Sequence, residues 1–131
     1  MDKIFLDANV LFSAAYREKN GLLTLWQSPK ITLVTSEYAL DEANRNLPDP
    51  IQRKRLNHLM RQVTCIFVWD VSLLPANLTL NSKDRPILAA AITAQANFLI
   101  TGDKDFQALF GKTVSGVNIL TPSAYFALTA K

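Results

Sequence analysis

The stretch 83–106, KDRPILAAAITAQANFLITGDKDF, most constrains how this chain can fold. Apolar residues recur in it at helical spacing after Pro86, which suits a first helical turn because no hydrogen bond is lost there. The continuous apolar run 98–101 follows, as expected for a buried parallel strand, and Gly102 ends it. A helix that leads directly into a buried strand predicts an α/β fold.

Acids bracket this helix and strand. Asp84 precedes the helix, and Asp103 lies just beyond the carboxyl end of the strand. In open α/β sheets that edge is where ligands bind. Asp84 begins a helix and need not share the edge, so a site at Asp103 requires a further acid from elsewhere in the chain.

The rest of the chain continues the alternation of strands and helices. Apolar runs predict four further buried strands, at residues 3–8, 31–34, 65–69 and 117–120. Helical patterns fill most of the intervals, at residues 10–19, 22–27, 37–47, 51–63 and 123–130. This order predicts one domain over residues 1–131, a three-layer α/β/α sandwich around a parallel sheet of four to five strands.

Composition limits the classes of function. With 49% hydrophobic residues the chain can bury a real core, and no apolar run approaches the length of a membrane span. The single cysteine excludes an internal disulfide and a thiolate zinc cage, which fits a reducing compartment. We therefore expect a cytoplasmic protein with no membrane partner. The net charge of +3 permits contact with nucleic acid without requiring it.

Two more acids in the first half of the chain are candidates for the site. Asp7 follows the first strand, and taken alone it is best explained as a helix cap or a turn residue. Asn9 can hydrogen-bond the Asp7 carboxylate or cap the next helix. In the third helical segment, Glu37 is best explained by its favourable interaction with the helix dipole, and Asp41 as a solvated surface residue. Glu42 lies about 100° around the helix from Asp41, so it borders the sheet-facing stripe and its side chain can point toward the sheet edge.

The helix at residues 51–63 carries the most basic surface of the chain. Lys54, His58 and Arg61 lie opposite its apolar stripe, and Arg55 flanks them. A solvated outer face is the favoured interpretation, and contact with RNA or a protein partner is the alternative. His58 fits the polar face better than a metal site, because the chain has no second histidine to join it.

Convergence of the acids would create a cation site. If Asp7, Glu42, Asp84 and Asp103 meet, with Asp105 as an additional candidate, their mutual repulsion raises their pKa values unless cations neutralise them. Carboxylates without imidazole or thiolate suit Mg²⁺ or Mn²⁺ rather than Zn²⁺. Such a site recruits a phosphodiester and hydrolyses it with an activated water, so no side-chain nucleophile is needed.

Four segments of the sequence resemble the acidic motifs of the PIN-domain family in their usual order: LDANVLFSA, SEYALDE, KDRPILAAAI and LITGDKDF. The similarity spans essentially the whole chain, including the ending GVNILTPSAYF seen in one bacterial branch. The resemblance implies a flavodoxin-like sandwich and metal-dependent ribonuclease activity. Many small bacterial members are toxins held inactive by an antitoxin encoded alongside them, and they often form homodimers.

The resemblance also implies roles for single residues. The metal-binding carboxylates are matched by Asp7, Glu42, Asp84 and Asp103, and some members use an extra acid at the place of Asp105. Supporting polar residues near the site are Asn9 and Thr101. Candidate RNA contacts are Lys54, Arg55, Arg61, Lys83, Arg85 and Lys104.

The sequence leaves three questions open. Lys83 and Arg85 flank Asp84, where they can orient a phosphate or can pair with Asp84 and weaken cation binding. An aspartyl-nucleophile phosphatase is a second class of function, but that chemistry needs an acid where this chain has Asn9. A PIN-like domain that binds RNA or acts as a scaffold without catalysis is a third.

Overall fold

The structure, a computed structural model, describes residues 1–130. The strands in this range are β1 (Asp2–Leu6), β2 (Ile31–Ser36), β3 (Val63–Ile66), β4 (Phe98–Ile100), β5 (Thr113–Val114) and β6 (Val117–Leu120). The α-helices are α1 (Ala8–Tyr16), α2 (Thr24–Gln27), α3 (Glu37–Asn46), α4 (Pro50–Leu59), α5 (Arg85–Thr93) and α6 (Pro122–Thr129). Four short 3₁₀ segments are also present, at Gly21–Leu23, Met60–Gln62, Val71–Leu73 and Lys104–Leu109. The predicted α/β class is confirmed.

The described strands form one sheet in the order β3-β2-β1-β4-β6-β5. The chain runs outward from β1 to β3, then returns to place β4 on the other side of β1. Such a reversal leaves a crevice at the carboxyl ends of the two central strands. Leu6 of β1 pairs with Ile100 of β4, so Asp7 and Thr101 emerge from the sheet side by side.

Apolar packing fixes this edge of the sheet. Residues 4–6 of β1 are fully buried, as are Leu99 and Ile100 of β4. In α5 the alanines at 89–91 are also fully buried, because small side chains let a helix lie close to its neighbours. Asp84 directly precedes α5, so the packing of that helix sets its position.

The third strand differs from the predicted one. A buried strand was expected at 65–69, but β3 ends at Ile66, and Phe67 and Val68 are 66% and 77% exposed. The cause lies in the neighbouring strand. Ser36, the last residue of β2, pairs with Ile66 and then caps α3, so β3 has no ladder partner beyond that point.

The helix before β3 also ends earlier than the apolar spacing predicts. The α4 helix stops at Leu59, and Val63, the last residue of the predicted helix at 51–63, is instead a buried residue of β3. Trp26 is part-buried, and its indole N–H donates to the Leu59 carbonyl at 3.0 Å. The interaction stabilises the carboxyl end of α4.

The sheet has six strands in the described residues, one more than the upper limit of the predicted four to five. The two-residue β5 runs antiparallel to β6, whereas the other pairings in residues 1–130 are parallel. Ser115 and Gly116 make the connection with φ values of 48° and 86°. Two consecutive positive φ values characterise the tight hairpin turn that matches strand twist. None of the helices in the described residues is long and apolar enough to cross a membrane.

Candidate metal centre

Asp7 lies at the carboxyl end of β1, in contact with two different elements. Its Oδ1 accepts the Ala8 backbone N–H at 2.6 Å, and its Oδ2 accepts the Thr101 hydroxyl at 2.6 Å. Burial raises the pKa of Asp7 to about 6, and these two hydrogen bonds oppose the rise while the charges of Asp103 and Glu42 add to it. Capping of α1 explains one oxygen of this carboxylate, and the other ties β1 to β4.

Thr101 organises the loop that follows β4. Besides donating to Asp7, its hydroxyl oxygen accepts the Asp103 N–H at 3.0 Å and the Asn9 side-chain amide at 3.2 Å. Asn9 accepts the Gly102 N–H at 3.0 Å through its own Oδ1. Its Nδ2 also lies 3.4 Å from Asp7 Oδ2. These hydrogen bonds hold the loop that carries Asp103 against the start of α1.

Asp84 is not explained by helix capping. It precedes α5, yet its side chain makes no capping hydrogen bond, and its Oδ2 is buried without a hydrogen-bond partner. Burial, reinforced by the charge of Asp103 and opposed by that of Lys83, raises the pKa of Asp84 to about 7. An unpaired buried carboxylate oxygen is costly, and a cation is the partner that would satisfy it.

Three acids come together at the edge of the sheet. Asp84, Asp103 and Asp105 each offer a carboxylate oxygen, and these atoms lie within 4.8 Å of one another. Asp103 caps the 3₁₀ segment Lys104–Leu109, and its Oδ1 accepts the Asp105 N–H at 2.9 Å. This turn brings Asp105 into the cluster. The oxygen-only donor set fits Mg²⁺ or Mn²⁺.

The basic neighbours of Asp84 do not pair with it. Lys83 Nζ lies 3.4 Å from Asp105 Oδ2, and the Arg85 guanidinium donates to the Leu78 carbonyl at 3.4 Å. The sequence suggested Asp84 as a candidate ion-pair partner of Lys83 and Arg85. Within the described residues, Lys83 pairs with Asp105 instead. Lys83 lies in the turn at residues 82–84 before α5, and its ammonium group reaches the loop after β4 at Asp105.

Glu42 lies beside the three-acid cluster rather than in it. With Asn9 and Asp103 it lines an open cleft of about 600 Å³, which Phe12 and Lys104 also border. Its charge contributes to the raised pKa of Asp7. The structure therefore brings Asp7 and Glu42 to the same edge as the other acids without including them in the cluster.

Tyr38 is a residue at this site that sequence reasoning missed. Its hydroxyl donates to the Lys83 carbonyl at 2.7 Å, and its ring packs edge-on against Trp69 with centroids 6.0 Å apart. Burial raises the pKa of Tyr38, and the charges of Glu42 and Asp84 add to the shift. The sequence signal that could have identified Tyr38 is its spacing, because a residue four positions before Glu42 lies on the same face of α3.

The candidate RNA contacts fall into two regions. Lys83 and Lys104 lie at the acidic edge, beside Asp105 and in the cleft respectively. Lys54 and Arg55 line a separate pocket, and Arg55 also donates to the Ala15 carbonyl at 2.6 Å. That contact assigns Arg55 a structural role at the carboxyl end of α1.

Carboxylates gathered at the switch point of a mostly parallel sheet define an α/β protein with a candidate site for a hard divalent cation. A family model described as PIN domain matches residues 3–105. The chain belongs to the PIN-domain family. The matched range contains every acid of the site.

A solved structure gives an independent comparison of the fold. The chain is similar to one in the crystal structure of VapBC2 from Rickettsia felis bound to a DNA fragment from their promoter. The TM-score is 0.68 at 15% sequence identity, covering 91% of this chain and 98% of that chain. At this identity the likeness shows the fold. No curated protein matched the sequence.

Proposed function

We propose that this protein is a divalent-metal-dependent endoribonuclease that hydrolyses RNA phosphodiester bonds, with Mg²⁺ or Mn²⁺ as its cation. One observation carries the proposal: the unpartnered buried Oδ2 of Asp84, in a residue that shares a 4.8 Å cluster with Asp103 and Asp105. Membership of the PIN-domain family supports it. A buried acid without a partner beside two others has a clear physical use as a cation ligand.

The proposed ligands are Asp84, Asp103 and Asp105, together with Asp7 and Glu42 at the border of the cluster. When bound, the cation would supply an activated water and stabilise charge on the phosphate oxygens. The protein's own part is to hold carboxylates in place before substrate arrives. Asp103 is positioned through its N–H by Thr101, and Asp7 through its Oδ2 by the same hydroxyl.

Substrate binding is assigned first to the basic groups at the acidic edge. Lys83 lies beside Asp105 and Lys104 lines the cleft with Asp103, so either could contact a phosphate of an RNA bound at the acids. Lys54 lines a separate pocket, and Arg61 and Arg85 are further candidates; Arg55 is the weakest because of its bond to α1. Contacts of this kind give affinity without reading sequence.

The biological role that we propose is the toxin of a toxin–antitoxin pair, acting in the cytoplasm. It is supported by the resemblance of the motifs to those of toxin nucleases and by the similarity of the fold to a chain of the VapBC2 structure. A cognate antitoxin and a homodimer are the partners that this role entails. Coexpression with the product of a neighbouring short reading frame, followed by copurification, tests the antitoxin.

Cleavage of single-stranded RNA with Mg²⁺ and with EDTA tests the enzymatic proposal. Wild-type protein should cleave only with the cation, and Asp103→Asn should lose more than the roughly 10–100-fold that removal of an outer-shell partner costs. The matched control is Asp41→Asn, an exposed acid of α3 outside the cluster. Wild-type-level cleavage by Asp103→Asn would contradict the proposal, and no cleavage or cation binding by the wild type would favour a scaffold domain.

A further inference from the structure

The ion pair of Lys83 and Asp105 places a side-chain cation at the edge of the acidic cluster. Lys83 Nζ lies 3.4 Å from Asp105 Oδ2, and Asp105 is one of the three acids whose oxygens approach within 4.8 Å. The charges of Asp84 and Asp103 also act on this ammonium group. One paired ammonium group thus faces three carboxyl groups.

Lys83 is fixed at its backbone and free at its end. Its carbonyl accepts the Tyr38 hydroxyl at 2.7 Å, and the next residue, Asp84, leads into the buried helix α5. The side chain, by contrast, is 63% exposed. An exposed ion pair contributes little to stability, so a competing cation can displace it at small cost.

The pair satisfies only part of the cluster. Lys83 immediately precedes Asp84 in the sequence, yet Asp84 Oδ2 is buried without a hydrogen-bond partner. The ammonium group therefore balances the outer acid and leaves the inner one unsatisfied. A divalent cation among Asp84, Asp103 and Asp105 could satisfy both, because it carries two charges and accepts several oxygen ligands.

We propose that Lys83 is an internal counter-ion that competes with the divalent cation for Asp105 and is released by cation binding to contact an RNA phosphate. The proposal rests on the function proposed above. It gives one side chain two successive partners, a carboxylate before the cation binds and a phosphate afterwards. Lys104 lies between two of the acids in the sequence but makes no ion pair within residues 1–130, so it provides a matched control.

Calorimetric titration with Mn²⁺ at about pH 8, above the raised pKa of Asp84, tests the competition. Lys83→Met should bind Mn²⁺ about three- to fivefold more tightly than the wild type, the scale of one exposed ion pair. Lys104→Met, which removes the same charge without breaking a pair, should change affinity by less than about twofold. Unchanged or weaker binding by Lys83→Met, or equal tightening by Lys104→Met, would overturn the proposal.

Fluorescence anisotropy with a 2′-O-methyl RNA, which resists cleavage, tests the release. Without divalent cation the Lys83→Met variant and the wild type should bind it equally. With Mn²⁺ the variant should bind about threefold or more weakly, the loss expected for one phosphate contact. The same ratio in both conditions would overturn the release step.

The two proposals fail in different ways. A wild-type protein that does not bind Mn²⁺ overturns the proposed function and the counter-ion with it. If the wild type binds Mn²⁺, Asp84→Asn does not, and Lys83→Met matches the wild type, the function stands and the counter-ion alone is wrong. Circular dichroism of each variant confirms that the fold is retained.

Discussion

The hydroxyl of Thr101 donates to Asp7 Oδ2 at 2.6 Å and joins the ends of the two central strands. Both residues are buried, and both follow the register pair Leu6 and Ile100 at the switch point of the sheet. The same hydroxyl oxygen accepts the Asp103 N–H. One side chain therefore sets the distance between the acid after β1 and the loop that carries the acidic cluster.

Thr101→Val should lower the free energy of unfolding by about 1–3 kcal/mol, because it leaves the Asp103 N–H without a partner and Asp7 Oδ2 with only the 3.4 Å contact of the Asn9 amide. Urea denaturation in EDTA measures the change. Thr93→Val serves as the control, since Thr93 is exposed and bonds only the Ala89 carbonyl of its own helix. An equal loss in the two variants would contradict the role assigned to Thr101.

The stability of the metal-free protein should fall as the pH rises from about 4 to about 7. The folded-state pKa values of Asp7 and Asp84, about 6 and about 7, lie above the ordinary value of 3.8. Stability from a raised pKa is fully present below the unfolded pKa and is lost as the pH passes through the folded one. Unfolding free energies measured at intervals across this range in EDTA give the slope.

Asp84→Asn should remove part of that slope, because the amide carries no charge at any pH in the range. At about pH 8 the variant should be more stable than the metal-free wild type by about 2 kcal/mol, roughly half of what the raised pKa alone gives, because nearby solvent screens the charge of Asp84. Asp41→Asn, which changes an exposed acid, should keep the wild-type slope. Parallel profiles for the wild type and Asp84→Asn would show that Asp84 carries no such penalty.

Tyr38→Phe should cost about 0.5–1.5 kcal/mol of stability, since it removes the hydroxyl that donates to the Lys83 carbonyl. Thermal denaturation measures this loss. The matched substitution is Tyr16→Phe, because the Tyr16 hydroxyl makes no hydrogen bond within residues 1–130. A Tyr38→Phe protein as stable as Tyr16→Phe would mean that the Tyr38 bond does not hold the segment before α5.

Much of the fold follows from the sequence because short apolar runs set the strands. Residues 3–8 and 98–101 indicated the two central strands, and therefore the position of Asp103 at a carboxyl edge. The end of β3 was not predictable in the same way. Phe67 and Val68 are as apolar as a buried strand, and their exposure depends on where β2 turns into α3.

The candidate site was predictable in its acids more than in their arrangement. Asp84 and Asp103 were indicated by position, but their approach to each other depends on how α5 packs. Asp105 enters the cluster through the 3₁₀ turn capped by Asp103, a local geometry that composition does not reveal. Tyr38 contacts the site through its hydroxyl and the backbone of Lys83, which is a tertiary relationship.

Calorimetric titration of Mn²⁺ into the wild type and Asp84→Asn tests the central claim most directly. We expect the wild type to bind the cation and the variant to lose at least about tenfold in affinity, because the unpartnered buried oxygen is removed as an anionic ligand. The Asp41→Asn control should bind as the wild type does. Equal Mn²⁺ affinity in the wild type and Asp84→Asn would contradict the assignment of these acids as the metal centre.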